Sequence, residues 1–268
     1  MERLFPLESK IKMTFQKMQP RTLARFVRMI DLLASGERPV TLREASAKLK
    51  INKPSLFRLL TFMKEEGLAA QNGGLEGYTL GPKVLPWASS YLRNVSLLKL
   101  SPERIRNLRD KCNETVVLSM LNGLTRIVLA VEHPSRVVRT HINVGQSIPL
   151  PYGAAGKVIT AFLDGKLLKE LLSRPLKPLT DTTISTSRAL KEEIRQIQKH
   201  FLTVSKGERA TETWAMASPI FDHKDQVIGS VAIVCPSYRY KTAKLFQRDL
   251  IDLARDLSAD LGSSVRFS

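Results

Sequence analysis

The stretch 41–68, TLREASAKLKINKPSLFRLLTFMKEEGL, limits the possible folds more than any other part of the chain. Thr41 precedes an apolar-periodic run and Glu44 follows three residues later, the spacing of a capping box that starts a helix at about residue 42. Leu42, Ala45 and Leu49 share one face of it, and small Ala45 lets a second helix approach closely. Lys50 and Ile51 make the turn. Asn52 is the expected N-cap of the next helix, and Pro54 stands in its first turn, where a missing N–H costs nothing. That second helix is predicted over 53–66. Leu56, Leu59, Leu60 and Met63 line its core face, which leaves Lys53, Ser55 and Arg58 outward near its N-terminal half.

Those are the positions from which a helix reads a major groove, and the residue types suit the task. Arg58 can bond guanine bidentately or hold a phosphate, Ser55 can reach base or backbone, and Lys53 offers a point charge beside the helix N-terminus. The competing reading is an ordinary helical hairpin with a solvated basic face. A two-stranded wing is expected over 69–80 around Asn72-Gly73-Gly74, with Gln71 and Asn72 placed to touch the sugar-phosphate backbone; a hairpin that only packs is the alternative.

Ahead of this motif, residues 1–19 read as a loosely ordered basic arm. A support helix follows over 21–34, with Leu23, Phe26, Ile30 and Leu33 inward and Arg21, Arg25 and Arg28 on the other face, toward DNA or simply solvated. After the wing, a short helix from about Leu85 carries Trp87, Tyr91 and Leu92, an apolar face suited either to a partner subunit or to its own domain.

At 268 residues the chain suits two domains, and 43% hydrophobic with 25% charged content is that of a globular protein. The formal charge is +17, of which residues 1–100 supply +9 and the longer remainder +8. The N-terminal third is therefore denser in positive charge, as a polyanion partner requires, although charge alone equally fits membrane-surface or non-specific binding. Cys112 and Cys235 have no Cys-x-x-Cys or metal spacing and read as free core thiols in a reducing cytoplasm. The N-terminal sequence lacks a signal-peptide core, and no stretch reaches the length of a membrane span.

From Ser101-Pro102 onward a helix gives way to short β-branched runs at about 115–121, 126–132 and 136–142. A helix bearing Leu190, Ile194, Ile197 and Phe201, further strands at about 202–205, 214–219 and 227–235, and a final helix at about 242–261 complete an α+β domain. Gly156-Lys157 fails as a phosphate loop, because Pro151 stands where a glycine is required and Val158 follows the lysine. The small-residue run Gly153, Ala154, Ala155, Gly156 can still present helix-terminal N–H groups to an anion, or can serve only for close packing. His133, His141, His200 and His223 form no local metal motif, and no nucleophile elbow appears. Glu208, Glu212 and Asp222 are candidate acids or bases with nothing to pair them. Neither catalytic residues, nor a metal site, nor a cofactor is assigned.

The order RTLARFVRMIDLLAS, INKPSLFRLLTFMKEEGL, YTLGPKVL, PYGAAGKVITAFL, VSKGERATETWAMASPIFD and QVIGSVAIVCPS resembles the IclR family of bacterial transcriptional regulators over nearly the whole chain. The resemblance implies a winged helix-turn-helix over 20–82, a linker helix over 83–100 and a GAF-like α/β effector-binding domain over 101–268. It also implies a cytoplasmic, non-enzymatic repressor or activator acting on operator DNA as a homodimer or tetramer. Carried over by motif, the reading positions fall on Lys53, Ser55 and Arg58, with Thr41, Asn52, Gln71 and Arg21 completing the set assigned to the duplex. The effector cradle falls on Gly153, Ala154 and Ala155, with walls from Ser205, Ala215, Ala232 and Val234. Members that bind small keto acids often carry polar residues where Ala215, Ala232 and Val234 stand here, so the expected effector is an aromatic or otherwise partly apolar organic acid. The alternatives are a regulator without any effector and, less favoured for want of a catalytic grouping, a DNA-associated enzyme.

Overall fold

The computed structural model describes residues 20–36, 38–71 and 77–267, and the chain divides between Asn94 and Val95 into two compact units. In the first, α1 (Pro20–Ser35), α2 (Leu42–Leu49) and α3 (Lys53–Glu65) are followed by a short antiparallel pair, β1 (Ala69–Ala70) and β2 (Thr79–Leu80), and by α4 (Val84–Arg93). The predicted capping box forms. Thr41 Oγ1 accepts the Glu44 N–H at 3.2 Å while the Glu44 carboxylate accepts the Thr41 N–H at 2.9 Å. The Arg38 guanidinium, together with these Thr41 bonds, holds the Glu44 carboxyl down at about 2. Lys50 ends α2 in the left-handed region (φ 54°), and Asn52 Oδ1 accepts the Ser55 N–H at 3.0 Å to start α3.

Met29, Ala45, Leu56, Leu60 and Met63 are fully buried and knit the three helices into one core. One expectation fails: Leu23 is exposed, and the inward stripe of α1 is Phe26, Met29, Ile30 and Leu33. That set follows the i, i+3, i+4, i+7 rule, whereas Leu23 lies a turn before the point where the neighbouring helices reach α1. Tyr78 and Val40 exchange two backbone bonds of 2.9 Å, fastening the wing to the start of the helix-turn-helix. The wing tip, including Asn72, Gly73 and Gly74, lies outside the described residues, as does the arm 1–19. On α4, Leu85, Trp87 and Tyr91 are each more than half exposed.

The second unit opens with α5 (Ser96–Leu100) and α6 (Pro102–Cys112), so the stretch 83–100 is two helices with a break at Asn94 and Val95. Six antiparallel strands then form one sheet in the order β5-β4-β3-β8-β7-β6. They are β3 (Thr115–Asn122), β4 (Thr125–Glu132), β5 (Ser147–Pro149), β6 (Thr203–Lys206), β7 (Thr213–Phe221) and β8 (Val227–Pro236). Between β5 and β6 run α7 (Gly153–Ala161), α8 (Gly165–Leu172) and α9 (Ser187–His200), and their apolar faces join one side of the sheet around Val117, Val128, Ala217 and Ala232. On the other side α5, α6, α10 (Tyr240–Lys244) and α11 (Gln247–Asp260) pack against Val116, Leu118, Met216 and Ile233. The alternation along β7 and β8 is the period-2 pattern of strands covered on both faces.

Trp214 and Met216 face the second side, opposite Ala215 and Ala217, and both cysteines lie in that same core. Burial pushes the Cys112 thiol up to about 11 and that of Cys235 to about 12. The segment 136–142, expected as a strand from its β-branched residues, is irregular. The outer edge of β4 is already taken over 125–128: Thr125, Arg126 and Ile127 pair with β5, and Val128 exchanges backbone bonds with Gly145 and Gln146. Only the outer side of 129–132 is left unpaired there, and Val137 and Val138 stand exposed despite their propensity. The final helix is likewise split into α10 and α11, with the break at Leu245 and Phe246.

Candidate nucleic-acid interface and anion cavity

Capping decides what α3 presents. With Asn52 fixed as N-cap and Leu56, Leu60 and Met63 fixed inward, Lys53 and Arg58 are exposed and Ser55 is half-buried. Ser55 and Arg58 are brought together with Thr22, Arg25 and Phe26 along a groove of about 470 Å³ between α1 and α3, closed at one end by the edge-to-face pair Phe26 and Phe62. Arg21 is exposed one turn before Arg25, on the same face of α1. The Thr41 hydroxyl and the Asn52 carboxamide oxygen are engaged in their caps, and Gln71 Oε1 accepts Lys64 Nζ at 2.9 Å at the foot of the wing. Sequence reasoning missed Phe57, which is half exposed beside Lys53 and Arg58 on α3 and offers an apolar contact for a thymine methyl. Its signal was available, since position 57 falls off the inward stripe.

In the second unit, all seven residues assigned to the effector line one cavity. Gly153, Ala154 and Ala155 form its helical end; Ser205, Ala215, Ala232 and Val234 come from three neighbouring strands. The chain folds this way because Gly153 adopts φ +72° and Gly156 passes so close to Pro151 that a Cβ there would meet its backbone carbon at 2.8 Å. Tyr152, the N-cap residue, gives no side-chain bond to the first turn; its hydroxyl bonds Lys177 instead. The helix therefore starts with N–H groups that no cap side chain satisfies, and with its positive dipole end at the cavity.

Two arginines complete the lining, and sequence reasoning found neither. Arg126, on β4, is 6% exposed; Nη1 donates to Ser119 Oγ at 2.9 Å and Nε has no partner among the described residues. Arg209 enters from the β6–β7 connection. Burial, and then the nearby Arg209 charge, pushes the Arg126 guanidinium down to about 9, and burial also lowers Arg209. No carboxylate lines the cavity, so two positive charges face it with no counter-ion among the described residues. Arg126 did leave a trace in sequence, as a charge on the same strand phase as inward Val128; Arg209 left none.

The nearby carboxylate of Glu208 is committed elsewhere. Lys157, only 3% exposed, donates to Glu208 Oε1 at 2.6 Å, to Glu193 Oε1 at 2.8 Å and to the Val204 carbonyl at 2.8 Å. The lysine that failed the phosphate-loop test thus ties α7 to α9, β6 and the β6–β7 connection. Burial pushes the Glu208 carboxyl up from its ordinary range. Among the described residues there is no cluster of three metal-ligating side chains and no helix long and apolar enough to cross a membrane.

Residues 22–73 match the model of the IclR helix-turn-helix domain, and residues 89–259 match that of the bacterial transcriptional regulator IclR C-terminal domain. The chain is 26% identical over 249 residues to the HTH-type transcriptional regulator KdgR of Escherichia coli, covering 91% of this chain and 95% of KdgR. Its fold is similar to that of the IclR transcriptional regulator of Alicyclobacillus acidocaldarius, with TM-score 0.79 at 23% identity over 92% of this chain and all of the other. It is also similar to an IclR homolog from Microbacterium hydrocarbonoxydans crystallised with 4-hydroxybenzoate, with TM-score 0.73 at 18% identity over 88% and 99% of the two chains.

Proposed function

We propose a ligand-controlled operator switch for this chain, which belongs to the IclR family of bacterial transcriptional regulators and is a DNA-binding transcriptional regulator of that type. Lys53, Ser55 and Arg58 read the major groove, with Arg58 as the base-discriminating contact; Arg21, Thr41, Asn52 and Gln71 hold the sugar-phosphate backbone. A homodimer or tetramer places two such helices in successive major grooves, and the exposed aromatic face of α4 favours a second copy there.

The effector is a small organic acid whose carboxylate sits at the first turn of α7 and whose carbon body rests on Ala215, Ala232 and Val234; aromatic acids are among the candidates. The observation that carries this reading is Arg126, a buried guanidinium with an unpartnered Nε beside a second arginine. Burying such a charge without a counter-ion costs several kcal/mol, which an anion recovers when it binds. The 4-hydroxybenzoate found in the Microbacterium relative supports an acid as ligand class. A second reading, a regulator without effector, is favoured by the cavity's size, about 40 Å³, which holds one or two waters and admits a ring only if the irregular segment carrying Ile142 gives way.

Gel-shift binding of the full chain to its own upstream intergenic DNA, with excess random competitor and a panel of aliphatic and aromatic acids, separates the two. A competitor-resistant shift altered by an acid supports the switch. A specific shift indifferent to every acid supports the constitutive reading.

A further inference from the structure

We infer that the acid recognised by the second unit is doubly charged: a short dicarboxylate of two to four carbons that spans Arg126 and Arg209. This rests on the reading of the cavity as an organic-acid site and adds the ligand's charge and size.

Charge balance comes first. Arg126 and Arg209 both line the cavity, the positive end of α7 points into it, and no acidic side chain lines it. Glu208 lies next to Arg209 in sequence, but its carboxylate is turned to Lys157, which is itself shared with Glu193. A monocarboxylate on buried Arg126 leaves the half-buried Arg209 without a counter-ion. A dianion neutralises both, and each bidentate arginine-carboxylate contact is among the stronger polar interactions available to a protein.

Geometry then selects among dianions. The arginines arrive from different parts of the fold, Arg126 from β4 and Arg209 from the connection beside Gly153, where the Arg209 Cβ lies 4.0 Å from the position a Gly153 Cβ would occupy. Beside the arginines the lining is mostly apolar, Val117, Ile142, Ala215, Ala232 and Val234, with the hydroxyls of Ser205 and Thr213 as its other polar side chains. Inorganic phosphate has no carbon spine to cover those side chains. A dicarboxylate has two anionic ends for the two guanidinium groups and an apolar middle for the alanine and valine side chains. A volume of about 40 Å³ is too small for any dicarboxylate as it stands, so binding requires the segment around Ile142 to move, and the shortest members demand the least displacement.

The test is calorimetric titration of the full chain at neutral pH with matched pairs, malonate against propionate and succinate against butyrate, with inorganic phosphate and benzoate as further arms. The dicarboxylate of at least one pair is expected to bind at least tenfold more tightly than its monoacid. Arg209→Met is expected to abolish that preference while keeping measurable monoacid binding, and Arg126→Met to weaken every acid. Retained specific DNA binding and an unchanged thermal transition show that each variant is folded. If mono- and dicarboxylates bind equally, the inference is overturned and the organic-acid reading stands. If phosphate outcompetes all carboxylates, the site is an inorganic-anion site and the dicarboxylate assignment fails. If no acid binds the wild-type chain, the organic-acid reading itself falls.

Discussion

The two units build their binding surfaces in opposite ways. In the first, the residues assigned to DNA lie mostly within one stretch of chain, outward on a helix whose position is set by two local caps and a turn. In the second, a cavity is assembled from strands and a helix that are far apart in sequence, and its charges point inward. Local assembly yields an exposed site that costs little to keep empty. Non-local assembly yields a largely buried site with two arginines and no carboxylate in its lining.

The contrast is tested most severely at Lys157. Lys157→Met leaves Glu193 and Glu208 without their shared cation, and breaking a buried ion pair by removing one partner costs about 3–5 kcal/mol. Differential scanning calorimetry should show the transition of the second unit falling while specific DNA binding at low temperature persists; equal loss of both would mean that the units are not separable. Leu60→Ala is the mirror experiment. Truncating this fully buried side chain is expected to cost about 2–5 kcal/mol in the first unit, abolishing gel shifts while leaving acid binding measurable by calorimetry.

Smaller effects sharpen the comparison within the exposed site. Arg58→Ala should cost about 1–3 kcal/mol of operator affinity if the side chain reads a base. An affinity loss equal for operator and random DNA would assign it to phosphate instead. Thr41→Ala should cost about 1 kcal/mol of stability through the lost cap, read as a shift in urea midpoint. Glu44 supplies a pH signature for the same cap. Because its folded pKa is depressed to about 2, its contribution is full above the ordinary carboxylate value and declines as pH falls through the acid range toward 2. NMR titration should find its midpoint well below that of an unperturbed glutamate, and Thr41→Ala should raise it.

Legibility in the sequence follows the same division. Thr41, Lys50, Asn52 and Pro54 act on their own neighbours, so the helix-turn-helix and its outward face could be read from spacing alone. The small-residue start of α7 was legible as a helix N-terminus either presented to an anion or closely packed, and the family resemblance supplied the strand residues that line the same cavity. Arg209 was not legible, because nothing local distinguishes a loop arginine that turns into a cavity from one that turns to water. Nor was the role of Lys157 open to reading, since its partners lie 36 and 51 residues away. The missing strand over 136–142 teaches the same lesson from the other side: β-branched propensity proposes a strand, and it does not decide pairing by itself.

The anchoring of α7 carries a mechanical consequence. A helix tethered at its midpoint to another helix, to a strand and to a loop is held from three sides beside the cavity. The lining residues outside regular structure are Ile142, in its irregular segment, and Arg209, in the β6–β7 connection. On the proposed reading, filling the cavity would displace those two segments against a fixed reference, in the way that a gauge reads the movement of its needle and not of its frame.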